Sequence, residues 1–129
     1  MTPELFYLVW SVALTVVLVV IAALGAMQQV GLPKLAGNRE HMPEISGWGG
    51  RAERAHRNML ESLVLFAILV LAARALNVAN SWTVLGAQLF FWGRLAHAVL
   101  YIAGIPWLRT AAWLVSVLGL LLLFLQLVQ

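Results

Sequence analysis

Four long apolar stretches, each closed by polar or helix-breaking residues, set the pattern of the chain. Leu5–Met27 is a nearly uninterrupted apolar run, long enough to cross a hydrocarbon core with some tilt. Pro3 and Glu4 precede it, where a helix tolerates proline and its dipole favours a carboxylate. The second stretch, Arg51–Leu76, is polar over Arg51–Glu61 and apolar from Leu63 onward. The third, 82–103, embeds Gln88, Arg94, His97 and Tyr101, and the fourth, 108–127, has only Ser116 and Gln126 as polar interruptions. Between the first two lies a polar segment, 28–50, with Pro33, Lys34, Arg39, His41 and Pro43, which predicts a loop. Asn77–Ser81 predicts a short turn in which Asn80 or Ser81 caps the next helix. Gly104-Ile105-Pro106 predicts a sharp stop before the last helix, because proline cannot donate into the preceding turn. These elements predict one all-α integral membrane domain over residues 1–129, an antiparallel bundle of four transmembrane helices.

Composition supports the membrane reading. Hydrophobic residues make up 63% of the chain and charged ones only 10%, against about 25% charged in ordinary soluble domains. The first residues lack the basic stretch of a signal peptide, so the first apolar run is expected to stay as a transmembrane helix. There is no cysteine, which excludes a disulfide framework, a thiolate metal site and a protein-borne thiol nucleophile. The formal charge is +3, with no basic run interleaved with aromatics, so nucleic acid is not an expected partner. Lys34, Arg39, Arg51, Arg54, Arg57 and Arg109 fall on one side of the predicted membrane and only Arg74 on the other. The positive-inside rule then places both termini outside and the polar loops in the cytoplasm.

The candidate chemistry lies on that basic side. At about 100° per residue, Arg54, Asn58 and Glu61 fall within a roughly 60° arc of the second helix, with Arg51 beside them. Two positive charges, an amide and a carboxylate on one face suit a small molecule that carries both carboxylates and an ammonium. On the third helix Arg94, His97 and Tyr101 form one stripe at i, i+3 and i+7. The plainer readings are juxtamembrane arginines with an i, i+4 Glu53–Arg57 pair, and an Arg94 that snorkels or pairs with Glu61. These account for Arg51, Arg54 and Arg57 but poorly for Asn58 and Glu61, which lie deeper. Arg109, just past the Gly–Pro break, is either a topogenic charge or a guanidinium that would favour a bound thiolate. His41, His56 and His97 lack the spacing of a metal site, and none is expected. The six tryptophans read mostly as interfacial anchors. A continuous ion or proton path is not visible, because the polar residues stop about halfway across.

Arg51-x-x-Arg54-Ala-x-x-Asn58-x-x-Glu61, followed by Arg94-x-x-His97-x-x-x-Tyr101, resembles the MAPEG family, the membrane-associated proteins in eicosanoid and glutathione metabolism. The similarity covers nearly the whole chain. It implies a homotrimer with glutathione sites at subunit interfaces near the cytoplasmic face. In that family pattern Arg51, Arg54, Asn58, Glu61, Arg94, His97 and Tyr101 would bind glutathione as co-substrate, and Arg109 would stabilise its thiolate. His97 stands where the leukotriene-synthase branch has tyrosine, as does Ser62, and Val64 replaces a common proline. The chain therefore looks closer to the microsomal transferase and bacterial members. The implied function is a glutathione transferase or peroxidase of a bacterial inner membrane, acting on a lipophilic electrophile or hydroperoxide. The alternative is a non-enzymatic membrane binder or assembly protein that retains the trimer.

Overall fold

The computed structural model describes all 129 residues, and every regular element is helical. In chain order these are α1 (Pro3–Val30), α2 (Leu32–Ala36), α3 (Gly47–Ala75), α4 (Ser81–Ala103) and α5 (Pro106–Val128). Local chemistry explains most boundaries. Pro3 occupies the first turn of α1, and the Thr2 hydroxyl accepts from the Leu5 N–H at 3.3 Å. Asn80 caps α4 by accepting from the N–H groups of Trp82 and Thr83, while the Thr83 hydroxyl accepts from the Asn80 N–H at 3.0 Å. Gly104 ends α4 in the left-handed region, at φ +83°, which glycine adopts without a Cβ clash. Pro106 then opens α5.

Two boundaries differ most from the sequence expectation. α1 continues past Met27 to Val30, and α3 starts at Gly47 rather than Arg51, so the predicted loop is shorter and holds α2. Glycine disfavours helix, and so Gly47–Gly50 reads locally as loop. Here the glycines allow a crossing that side chains would block. A Cβ on Gly25 of α1 would lie 2.6 Å from the Gly49 Cα of α3. The side-chain amide of Gln29 locks the same junction: its Nε2 donates to the Ser46 carbonyl at 2.7 Å, and its Oε1 accepts from the Ser46 N–H at 2.9 Å.

The long helices alternate in direction. The end of α1 meets the start of α3 through Gln29–Ser46, and the start of α3 meets the end of α4 through Arg51 and Ile102. At the opposite end Thr83 of α4 reaches Glu4 of α1, and the Asn80 amide donates to Gln126 of α5 at 2.9 Å. α1, α3 and α5 are long and apolar enough to cross a membrane. α4 equals α5 in length, but Gln88, Arg94 and His97 dilute its apolarity, so three of the four expected spans qualify by composition. The exterior is apolar, and several polar side chains are buried beside an apolar core. Val9, Val16, Val20, Leu65, Ile68 and Leu118 are exposed, whereas Ser11, Thr15, Thr83, Arg94, His97 and Ser116 are buried. Apolar exteriors suit lipid, and buried polar groups bond within or between helices. The Ser11 and Thr15 hydroxyls donate back to the carbonyls of Tyr7 and Ser11. Phe66 of α3 stacks on Phe90 of α4 with ring centroids 4.0 Å apart, at the centre of the apolar core.

α4 and α5 pack most extensively, through small residues. A Cβ on Gly119 would lie 2.5 Å from the Gly86 carbonyl oxygen, and one on Gly93 would lie 2.8 Å from the Ser116 nitrogen. Both clashes are with backbone, which cannot step aside. Gly119→Leu should therefore lower stability by about 1–3 kcal/mol or prevent folding. Thermal unfolding in detergent checks this, and an unchanged midpoint would show that α4 and α5 do not depend on the contact.

Candidate functional site

The end of the molecule that holds the start of α3, the end of α4 and the start of α5 carries most of the ionisable groups. Arg51 leaves α3 and its Nε donates to the Ile102 carbonyl at 2.9 Å. That carbonyl lies in the last turn of α4, where acceptors have no intrahelical donor and a cation is favoured. Arg51 thus braces the α4–α5 junction, and its guanidinium also lies close to Gly104.

Arg94 lies deeper, on the face of α4 that meets α3. It is 1% exposed, and its Nη2 donates to the Asn58 Oδ1 at 2.7 Å. Its Nε and Nη1 have no partner in the chain, nor does the Nδ1 of His97 one turn further along. No carboxylate reaches Arg94, because the chain's single ion pair is Arg57–Glu53 on the exposed face of α3, at 2.9 Å. The Arg94–Glu61 pair offered by the plainer reading is not formed. Asn58 takes that place, and Glu61 is exposed on the outer side of α3 with Arg54. A buried guanidinium with only a neutral partner is costly, since the Coulombic return of a counter-ion is missing.

The α4 stripe leads from Arg94 to α5. The rings of His97 and Tyr101 meet edge to face with centroids 5.4 Å apart. The Arg109 guanidinium sits 4.3 Å from the centroid of the Tyr101 ring, a cation–π contact. A guanidinium held by its face keeps its in-plane N–H donors free, and no hydrogen bond within the chain engages those of Arg109 (contrast Arg51). Asn58, Arg94, His97, Tyr101 and Arg109 therefore form one connected polar group across α3, α4 and α5. Arg54 and Glu61 stand apart from it, on the surface.

A cavity of about 670 Å³ adjoins the outer group, between α1, the 31–46 segment and α3. Val19, Ala22, Ala23 and Ala26 form an apolar wall on one face of α1, while Arg54 and His56 border it from α3. His56 is not part of the sequence-derived binding set, and only the packing of α3 against α1 brings it to the cavity. No three histidine, aspartate or glutamate side chains converge in the way a metal ion requires.

The contrast between the two ionic pairings gives a stability test. Asn58→Ala removes the only partner of a buried guanidinium and should destabilise by about 1.5–3 kcal/mol. Arg57→Ala breaks an exposed i, i+4 pair and should cost about 0.5 kcal/mol or less. Chemical unfolding of both variants checks the order; equal effects would mean that the Arg94–Asn58 bond is energetically idle.

No curated protein and no solved structure matches the chain. The model of the MAPEG family matches residues 5–129, which include all five long and short helices almost entirely. Some members of that family are glutathione-dependent enzymes and others are not enzymes. The match spans nearly the whole sequence, and the chain is a member of the MAPEG family.

Proposed function

We propose that this protein is a membrane-bound glutathione transferase or glutathione-dependent peroxidase, working as a homotrimer of four-span subunits in a bacterial inner membrane. The observation that carries this reading is Arg94: a guanidinium sealed among helices, with two unpartnered nitrogens and no carboxylate of its own chain. Such a group calls for an anion from outside the chain. Glutathione supplies two carboxylates and an ammonium. Arg54 and Arg94 suit the first, and Glu61 suits the second, with Asn58, His97 and Tyr101 as polar partners. Arg51, engaged with α4, would contribute chiefly by positioning.

The outward group supports an assembly of several copies. Glu61 is exposed beside exposed Leu60, Val64 and Leu65, so a lone subunit would present a carboxylate to lipid. A second copy of the chain over that face would cover it and close the site between subunits, on the cytoplasmic side if the basic residues set the topology.

The chemistry assigned here is thiol activation. Arg109 would hold the sulfur as thiolate, and the thiolate attacks an electrophilic carbon, forming a thioether as the leaving group departs with the bonding pair. With a hydroperoxide, attack on the outer oxygen gives an alcohol and a sulfenic intermediate, and a second glutathione converts it to disulfide and water. A lipophilic partner would arrive from the bilayer and glutathione from water, so positioning of the two supplies much of the rate.

Arg109→Ala should raise the pKa of bound glutathione by about 1 to 3. The thiolate absorbance at about 240 nm at neutral pH should therefore fall, and the rising limb of the pH–rate profile should move to higher pH. Stopped-flow mixing with glutathione checks it, and an unchanged thiolate titration removes Arg109 from the mechanism. Glu61→Gln should weaken glutathione binding about tenfold, the worth of one charge-assisted contact. Calorimetry reads this directly. Tight binding with no thiolate signal in the unaltered protein would favour the non-enzymatic binder, and no binding at all would overturn the glutathione reading and leave the scaffold to another ligand.

A further inference from the structure

The opposite end of the molecule holds a second charged site that glutathione chemistry does not use. Glu4, in the first turn of α1, is 5% exposed although it carries a carboxylate. Its Oε1 accepts from the Thr83 hydroxyl at 2.7 Å, and Thr83 is itself fixed by the Asn80 cap. The chain supplies no partner for the other carboxylate oxygen, and Glu4 takes part in no ion pair. The dipole of α1 and the Thr83 hydroxyl both favour the ionised carboxylate, and its second oxygen is left open to accept from a ligand.

Beside Glu4 lies a cavity of about 110 Å³. Leu5, Val70 and Ala73 give it apolar walls, and Arg74 and Asn77 line it from the end of α3. Arg74 is exposed and likewise unpaired. The cavity therefore has an anion in its wall and a cation on its border that do not meet each other. A ligand that satisfies both must be zwitterionic, with a donor-bearing ammonium for Glu4 and an anionic group for Arg74.

The surroundings select a lipid over a soluble zwitterion. Val9, one turn from Leu5 on α1, and Leu71, next to Val70 on α3, are exposed on the apolar exterior. Trp82, 54% exposed at the start of α4, suits the headgroup level of a bilayer. The cavity takes a headgroup but no acyl chain, so the chains would lie along α1 and α3. We propose that this end of the protein binds one phosphatidylethanolamine, its ammonium donating to the buried Glu4 carboxylate and its phosphate pairing with Arg74. A choline headgroup has no N–H to donate and carries three added methyls, and a glycerol headgroup has no cation. Both are disfavoured. The site is independent of the glutathione reading and stands or falls without it.

Native mass spectrometry of the detergent-purified protein, offered equal phosphatidylethanolamine, phosphatidylcholine and phosphatidylglycerol of the same chain length, tests the proposal. The ethanolamine lipid should be retained about tenfold over each of the others, one per chain, matching one charge-assisted hydrogen bond. Glu4→Gln keeps an acceptor for Thr83 but loses the charge, and should bring retention of the ethanolamine and choline lipids to parity. Arg74→Gln should lower ethanolamine-lipid retention as well. If Glu4→Gln does not fold, the unaltered protein still decides: retention should fall stepwise through the N-methyl, N,N-dimethyl and N,N,N-trimethyl headgroups. Equal retention of all three lipids, or undiminished selectivity in a folded Glu4→Gln variant, overturns the proposal. Displacement of the lipid by an equal concentration of free O-phosphoethanolamine also overturns it, in favour of a soluble ligand.

Discussion

A guanidinium enclosed by three helices, with a neutral amide as its sole partner, is the constraint around which this molecule is arranged. Arg94 can occupy that position only because α4 turns its polar stripe inward, and α4 turns inward because α3 and α5 cover it on both sides. Lipid supplies no hydrogen bonds, so an inward polar stripe is the arrangement that leaves the exterior apolar. The Arg94–Asn58 bond ties α3 to α4, and the Tyr101–Arg109 contact ties α4 to α5. Arg51 closes the same end by bonding the last turn of α4. One set of residues thus joins the helices and faces the chemistry assigned to the site, so substitutions there are expected to affect both.

Close helix approach makes this possible. Gly86, Gly93 and Gly119 bring α4 and α5 to backbone contact, and Gly25 and Gly49 do the same for α1 and α3. In lipid there is little hydrophobic gain from helix association, so small residues that allow dense packing take its place. The two tight pairs leave the polar seam between α3 and α4, where Arg94, His97 and Asn58 meet. Charged groups at both ends of the molecule follow one physical rule. A charge buried without its counter-charge is costly, and at Arg94 and Glu4 an oppositely charged partner would lower that cost.

Residue periodicity made the helices and their polar faces legible, since 3.6 residues per turn is a local property. The Asn80 cap, the Gly–Pro stop and the Glu53–Arg57 pair are equally local, and each lies where the spacing of residues placed it. The start of α3 was not legible. Gly47–Gly50 has the composition of a loop, and only the crossing against Gly25 makes it helix. Glu4 illustrates the same limit. By sequence it complements a helix dipole at an exposed end, whereas Thr83, distant in the chain, holds it inside.

Membrane character, the helical segments, family membership and the identity of the polar positions were determined by the sequence alone, because they depend on composition and on neighbours within a few turns. Tertiary structure decided which of those polar groups meet. It gave Arg94 to Asn58 rather than Glu61, engaged Arg51 with the α4 terminus, and left Arg54 and Glu61 on the outer face. Those outcomes depend on the rotation of each helix about its axis, which is set by glycine contacts and aromatic stacking between helices far apart in the chain. A pattern on one helix states what a face contains; only its packing states what that face meets.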